Sequence, residues 1–161
     1  MIEREKTYLV KYLPEGLEDS PPKEIIDIYI PKTSKHPTLR IRKSDDKYEM
    51  TKKEPVKDND SSEQHEHTIS LTQAEYEELA ALEGKRVSKI RYYYNYNGRT
   101  AEIDVFQQAL EGLVEVDFEF ETSEDKNNFD MPDFCLADVT QEEFAAGGML
   151  CGKSYKDIEG D

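Results

Sequence analysis

Between Leu113 and Glu121 the chain alternates without a break. Val114, Val116, Phe118 and Phe120 fall on one side of an extended strand. Glu115, Asp117, Glu119 and Glu121 fall on the other, because successive side chains in a strand point to opposite faces. The same period recurs elsewhere. Residues 3–11 set Glu3, Glu5, Thr7, Leu9 and Lys11 against Arg4, Lys6, Tyr8 and Val10. Ile25 to Ile30 is a short apolar run closed by Pro31. Thr38 to Lys43 sets Arg40 and Arg42 against Leu39 and Ile41. Ser44-Asp45-Asp46 signals a turn, and residues 47–53 the returning strand of a hairpin. Residues 56–63 are polar and predict a loose loop; residues 64–70, which contain Glu66, predict a weak strand. Two further strands, 87–96 and 100–106, flank the hairpin signal Asn97-Gly98.

Helical signals are fewer. Thr72 with Glu75 forms a capping box, Tyr76, Leu79, Ala80 and Leu82 make an apolar stripe, and Gly84 marks the stop. Ser123 predicts the cap of a short helix through Phe129, with Glu124 and Asp125 in its first turn. Thr140 predicts the cap of another, ended by Gly147-Gly148. The expected whole is dominated by β-structure (α+β). About eight strands joined mostly by hairpin-length turns predict an antiparallel barrel or a strongly curved sheet, with a few short helices.

Composition narrows the function. At 161 residues the chain reads as one domain with room for a core. A net charge of -15 argues against nucleic acid and anionic membrane surfaces as partners. The 36% hydrophobic share and ten tyrosines predict folding rather than disorder. No apolar run approaches the roughly 20 residues of a spanning helix. The first residues read as structure rather than as a signal peptide. Cys135 and Cys151 fit neither a disulfide framework nor a metal knuckle, so reduced thiols and a cytoplasmic location are expected.

The polar faces carry the chemistry. They offer Glu3 and Glu5; Arg40 and Arg42; Glu49, Thr51 and Lys53; Lys89 and Arg91; Glu102 and Asp104; and Glu115, Asp117 and Glu119. Alternation alone favours an ordinary half-buried sheet whose wet face is charged. Two features oppose that reading. The charges segregate by strand, and like charges recur at i,i+2, which is costly on an open sheet. If the sheet closes with this face inward, each set needs a counter-charge. A polyphosphate chain with magnesium or manganese satisfies both, since both ions prefer hard oxygen ligands.

These residues also carry a resemblance. Glu3-Arg-Glu5 followed by Tyr8-Leu9-Val10 resembles the ExExK opening of the CYTH, or triphosphate tunnel metalloenzyme, superfamily. The likeness continues, in the family's order, through Leu39-Arg40-Ile-Arg42, Thr51-Lys-Lys53, Lys89-Ile-Arg91-Tyr92, Glu102-Ile-Asp104-Val-Phe106 and Leu113-Val-Glu115-Val-Asp117-Phe118. It implies a closed eight-stranded antiparallel tunnel that binds a triphosphate and divalent metal. It implies metal-binding carboxylates at Glu3, Glu5, Glu115 and Asp117, with Asp104 and Glu66 close by. Arg40, Arg42, Lys53 and Arg91 resemble the triphosphate clamp, and Lys89 the lysine that activates water. Glu5 and Asp117 join Lys89 as expected catalytic groups. Tyr29 matches a position near the tunnel mouth. Lys153 matches a basic residue brought by the C-terminal segment, and residues 147–161 a plug or tail. The motif lysine falls on Thr7, while Lys6 points outward and Lys11 lies further along the strand.

Other features read as structure. His36, His65 and His67 sit in polar surroundings and are expected at the surface. Glu119 and Glu121 are expected to be exposed strand-end acids. Tyr92, Tyr93, Tyr94 and Tyr96 suit packing. The expected activity is metal-dependent hydrolysis of inorganic tripolyphosphate. Thiamine-triphosphate hydrolysis, adenylyl cyclisation of the class IV type and non-catalytic polyphosphate binding remain alternatives, as do a monomer and a homodimer.

Overall fold

The computed structural model describes residues 1–158. Nine strands appear in chain order: β1 (Ile2–Val10), β2 (Pro22–Ile30), β3 (Leu39–Ser44), β4 (Lys47–Lys57), β5 (Asp60–Leu71), β6 (Lys85–Tyr96), β7 (Arg99–Phe106), β8 (Val114–Phe120) and β9 (Cys135–Asp138). Around the sheet they run β5-β4-β3-β2-β6-β7-β8-β1, and β1 pairs back onto β5, closing an eight-stranded antiparallel barrel. β1 changes partner along its length. Ile2 to Arg4 pair with β5, and Tyr8 to Val10 pair with the short β9. The closed barrel expected from the sequence is the observed one, with β9 as an addition.

The barrel is polar inside and apolar outside. Tyr8, Ile103, Val116, Phe118 and Phe120 pack on the outer face with Phe134, Cys135 and Phe129. Ile28 and Ile41 pack with Tyr76 of α1 (Gln73–Ala80). Thr72 and Glu75 of α1 make the reciprocal capping box. Cys135 and Cys151 are buried, free thiols. Among the described residues no helix is long and apolar enough to cross a membrane.

Three local expectations need correction. Residues 56–63 are not a loop. β4 continues to Lys57, Asn59 takes a positive φ of 63°, and β5 starts at Asp60. Neither face of this hairpin is apolar, so periodicity gave it no signal. The helix near Ser123 is α2 (Ser123–Asn127), capped one residue earlier, where the Thr122 side chain accepts from the Asp125 amide. The helix expected from Thr140 is absent. Thr140 Oγ1 instead accepts from the Thr7 amide at 3.0 Å, and a short 3-10 turn (Glu143–Ala145) precedes α3 (Gly147–Leu150). Gly147 and Gly148 open that helix rather than end the preceding one. A Cβ at Gly147 would collide with the Tyr29 hydroxyl, and one at Gly148 with the Pro37 carbonyl.

Candidate active site

Closure turns the segregated strands into two walls. β7, β8 and β1 are neighbours and carry Glu102 and Asp104, then Glu115, Asp117 and Glu119, then Glu3 and Glu5. Across from them, β4, β3, β2 and β6 are neighbours and carry Lys53, Arg40, Arg42, Lys89 and Arg91. Both sets line one cavity of about 560 Å³. Residues from Val139 to Leu150 run along one side of it. Val139 N donates to Thr7 O at 2.9 Å, Gln141 Nε2 to Asp60 Oδ1 at 2.9 Å, and Gly147 abuts Tyr29.

On the acidic wall, one ligand oxygen each from Glu3, Glu5 and Glu119 lie within 4.8 Å of one another. Burial pushes the Glu5 carboxyl well above its ordinary range, and neighbouring Asp117 adds to the shift. Burial does the same to Glu115, again with Asp117 contributing. Asp117 and Glu102 are raised for the same first reason. Glu119, only partly shielded at the rim, is raised to about 7, by that partial burial and then by the charges of Glu102 and Glu3. Glu115 Oε2 is buried with no hydrogen-bond partner among the described residues. These carboxylates outnumber the cations near them. Their hard oxygen donors, crowded and under-compensated, suit a hard divalent cation.

The basic wall is partly self-paired. Arg42 Nε and Nη2 donate to Asp27 Oδ1 and Oδ2 at 2.7 and 2.8 Å. Arg91 Nε and Nη2 donate to Asp104 at 2.8 and 3.0 Å, and its Nη1 to Glu102 at 3.2 Å. Lys89 Nζ sits 2.9 Å from Asp104 Oδ2. Lys53 Nζ bridges Glu3 at 2.7 Å and Glu66 at 3.4 Å. Arg40 differs: its Nε is buried without a partner among the described residues.

The residues expected from sequence therefore divide. Glu3 and Glu5 lie together on the acidic wall, and Glu115 and Asp117 lie on the same wall in β8. Arg40, Arg42, Lys53, Arg91 and Lys89 lie on the basic one. Asp104 lines the cavity but has both oxygens engaged by Arg91 and Lys89, which leaves it a partner of bases rather than an open metal ligand. Glu66 sits behind, against Lys53, outside the cavity lining. Lys153 does not line the cavity either; the C-terminal segment reaches it through residues 139–142 and 145–147 and through Leu150. Lys6 turns outward, its Nζ 3.5 Å from the Phe129 carbonyl, and Lys11 lies over the Tyr12 ring. Neither replaces the motif lysine at position 7. Glu119 was expected at the surface. It is exposed at the rim, yet it converges with Glu3 and Glu5. Its place in the unbroken Glu115, Asp117, Glu119 alternation was the available signal. Asp27 carries little sequence signal, because it lies in an apolar run and its only mark is that of an isolated acid at the parity of Tyr29.

Comparison with known proteins agrees with this geometry. The CYTH domain family matches residues 4–134. The inorganic triphosphatase of Nitrosomonas europaea is 29% identical over 145 residues, covering 89% of this chain and 92% of that protein. A crystal structure of an inorganic triphosphatase superposes with a TM-score of 0.65 at 26% identity, over 92% of this chain and 93% of that one. A protein from Pyrococcus horikoshii shares the fold, with a TM-score of 0.55 at 20% identity over 78% of this chain and 83% of that one.

Proposed function

The chain belongs to the CYTH domain family, and on that premise we propose that it is a divalent-metal-dependent triphosphatase, with inorganic tripolyphosphate as its substrate and the cytoplasm as its location. The observation that carries this reading is the cavity itself. Under-compensated carboxylates face arginines and lysines across one enclosed space. A linear triphosphate with its counter-ion is the ligand class that meets both walls.

In this reading the chain's own residues divide the work. Arg40, Arg42, Lys53 and Arg91 bind phosphate oxygens, for which the planar guanidinium fork is well suited. Glu3, Glu5 and Glu119, with Glu115 and Asp117 further along β8, would hold Mg²⁺ or Mn²⁺. When bound, such an ion neutralises phosphate oxygens and lowers the pKa of a water. Lys89, held by Asp104 at 2.9 Å, presents its ammonium to the same space and orients the attacking water. Most of the rate enhancement then comes from positioning and electrostatics, as is general for phosphoryl transfer.

The test is phosphate release from inorganic tripolyphosphate, ATP and thiamine triphosphate, with and without Mg²⁺ or Mn²⁺. Metal-dependent release, fastest from tripolyphosphate, is the expected result. Binding of tripolyphosphate without release from any of the three would make the protein a non-catalytic module. Release without added metal, after chelation, would remove the metal from the reading.

A further inference from the structure

Two of the basic side chains are gripped in the same way. Asp27 on β2 faces Arg42 on β3 directly across the ladder, and Asp104 on β7 faces Arg91 on β6. In both pairs the carboxylate takes Nε and Nη2 of the guanidinium, two parallel charge-assisted hydrogen bonds. The pairs differ in what lies in front of them. Asp104 lines the cavity and is shared with Lys89. Asp27 is 1% exposed and does not line the cavity, while Arg42 does. Asp27 therefore stands behind Arg42, out of reach of any ligand.

We propose that Asp27 is a positioning residue of the triphosphate clamp, fixing Arg42 in the one orientation that leaves Nη1 free for substrate. The inference rests on the triphosphatase reading and adds to it a residue that acts only through Arg42. The pairing in register explains why an aspartate suffices: the two backbones are adjacent, and a short carboxylate meets the fork without bending the strand. Arg40 supplies the contrast. It lies between Tyr29 on β2 and Thr51 on β4, neither of them a carboxylate. Among the described residues its buried Nε has no partner, so Arg40 adjusts to the ligand while Arg42 is set in advance. A side chain already ordered before binding loses less freedom when the ligand arrives.

The charge around Asp27 keeps it ionised and so able to hold Arg42. Arg40, Arg42 and Lys89 all lie close enough to act on it electrostatically. These cations keep Asp27 charged, and its two hydrogen bonds both go to Arg42. Burial works against the Asp27 charge, but the Arg42 guanidinium outweighs it and keeps the carboxyl below its ordinary range.

The experiment is a double-mutant cycle on the full chain: wild type, Asp27→Asn, Arg42→Ala and the double. Steady-state kinetics use inorganic tripolyphosphate at saturating Mg²⁺, with thermal melting recorded for each. Asp27→Asn should raise KM roughly three- to tenfold, the cost of ordering one long side chain at the interface, with kcat within about twofold of wild type. In the Arg42→Ala background the same change should leave KM within about twofold, because its sole agent is gone. A purely structural role would move melting and kcat together, and in both backgrounds alike. If Asp27→Asn does not fold, Asp27→Ser, which leaves room for a bridging water, is read through the same cycle. An active wild type with unchanged KM in the Asp27 variant, or effects that multiply in the double mutant, would overturn the positioning role alone. A wild type that neither hydrolyses nor binds tripolyphosphate would overturn the clamp and the positioning role together.

Discussion

Thr7 Oγ1 donates to Asp117 Oδ1 at 2.6 Å, and the two residues face each other in register across the β1–β8 ladder. Position 7 is where the family's motif has lysine. The hydroxyl supports the Asp117 carboxylate without supplying a counter-charge.

Replacing that hydroxyl with a cation should act on both stability and binding. Thr7→Lys puts an ammonium beside Asp117 on a wall where burial already disfavours the charged acids. The metal-free protein should melt at a higher temperature. KM for tripolyphosphate should fall by about ten- to a hundredfold, the worth of one charge-assisted hydrogen bond. Melting curves and initial-rate kinetics check it. Unchanged values in both would mean that another group already satisfies this wall.

Metal should stabilise the folded chain without any substrate. A ligand that binds only the folded state at a hundredfold excess over its Kd adds about 2.7 kcal/mol, or roughly 5–10 °C for a domain of this size. Millimolar Mn²⁺ or Mg²⁺ should therefore raise the melting temperature, and Glu5→Gln, which removes one of three converging carboxylates, should abolish most of the rise. A flat response in wild type and variant alike would refute a metal site on this wall.

The metal-free protein should lose stability as pH rises from about 4.5 to about 7. Glu119 has its pKa raised from 4.5 to about 7, and Glu5, Glu115, Asp117 and Glu102 are raised as well. An acid whose folded pKa lies above its unfolded one holds more protons when folded within that window, so unfolding becomes easier as pH climbs through it. Groups held low act elsewhere: Asp104, at about 2, contributes stability that is lost only as pH falls through its folded value. Melting temperature against pH in EDTA should slope downward between 4.5 and 7, and saturating Mg²⁺ should flatten the slope. A metal-free curve that rises across this window would contradict the crowding described for the acidic wall.

How much of this was readable in the sequence follows from where each residue's partner lies. Glu3, Arg40 and Asp117 were legible because strict alternation assigns a face, and a face of like charges demands an explanation. The closure of β1 onto β5 had no local signal. β5 carries polar residues at both parities, so no period marks its face, and the Glu3–Gln64 pairing joins segments far apart in the chain. Asp27 was hidden for the opposite reason: its neighbours Ile25, Ile26 and Ile28 made the run look uniformly apolar, and its partner Arg42 lies on the next strand. Lys153 was placed by resemblance alone, and its path is set by how Gly147 and Gly148 seat against Tyr29 and Pro37, contacts that no spacing in the chain reports.

The two walls should separate kinetically. Arg91 lines the cavity from the basic side, with all three guanidinium nitrogens shared among Asp104 and Glu102. Its removal takes away a contact made to substrate and transition state alike, so Arg91→Ala should mainly raise KM and be partly rescued by high substrate. Asp117 sits on the acidic wall, where charge neutralisation of the reacting oxygens would be organised. Asp117→Asn should lower kcat about a hundredfold, comparable with the loss of one preorganised electrostatic group at an active site. The two changes should not add, because both groups act on one phosphate chain. Steady-state kinetics on wild type, both single variants and the double, at saturating metal, decide it. Wild-type turnover in Asp117→Asn, with its fold intact by circular dichroism, would sink the division of labour and reduce the acids of β8 to a charged lining without a catalytic part.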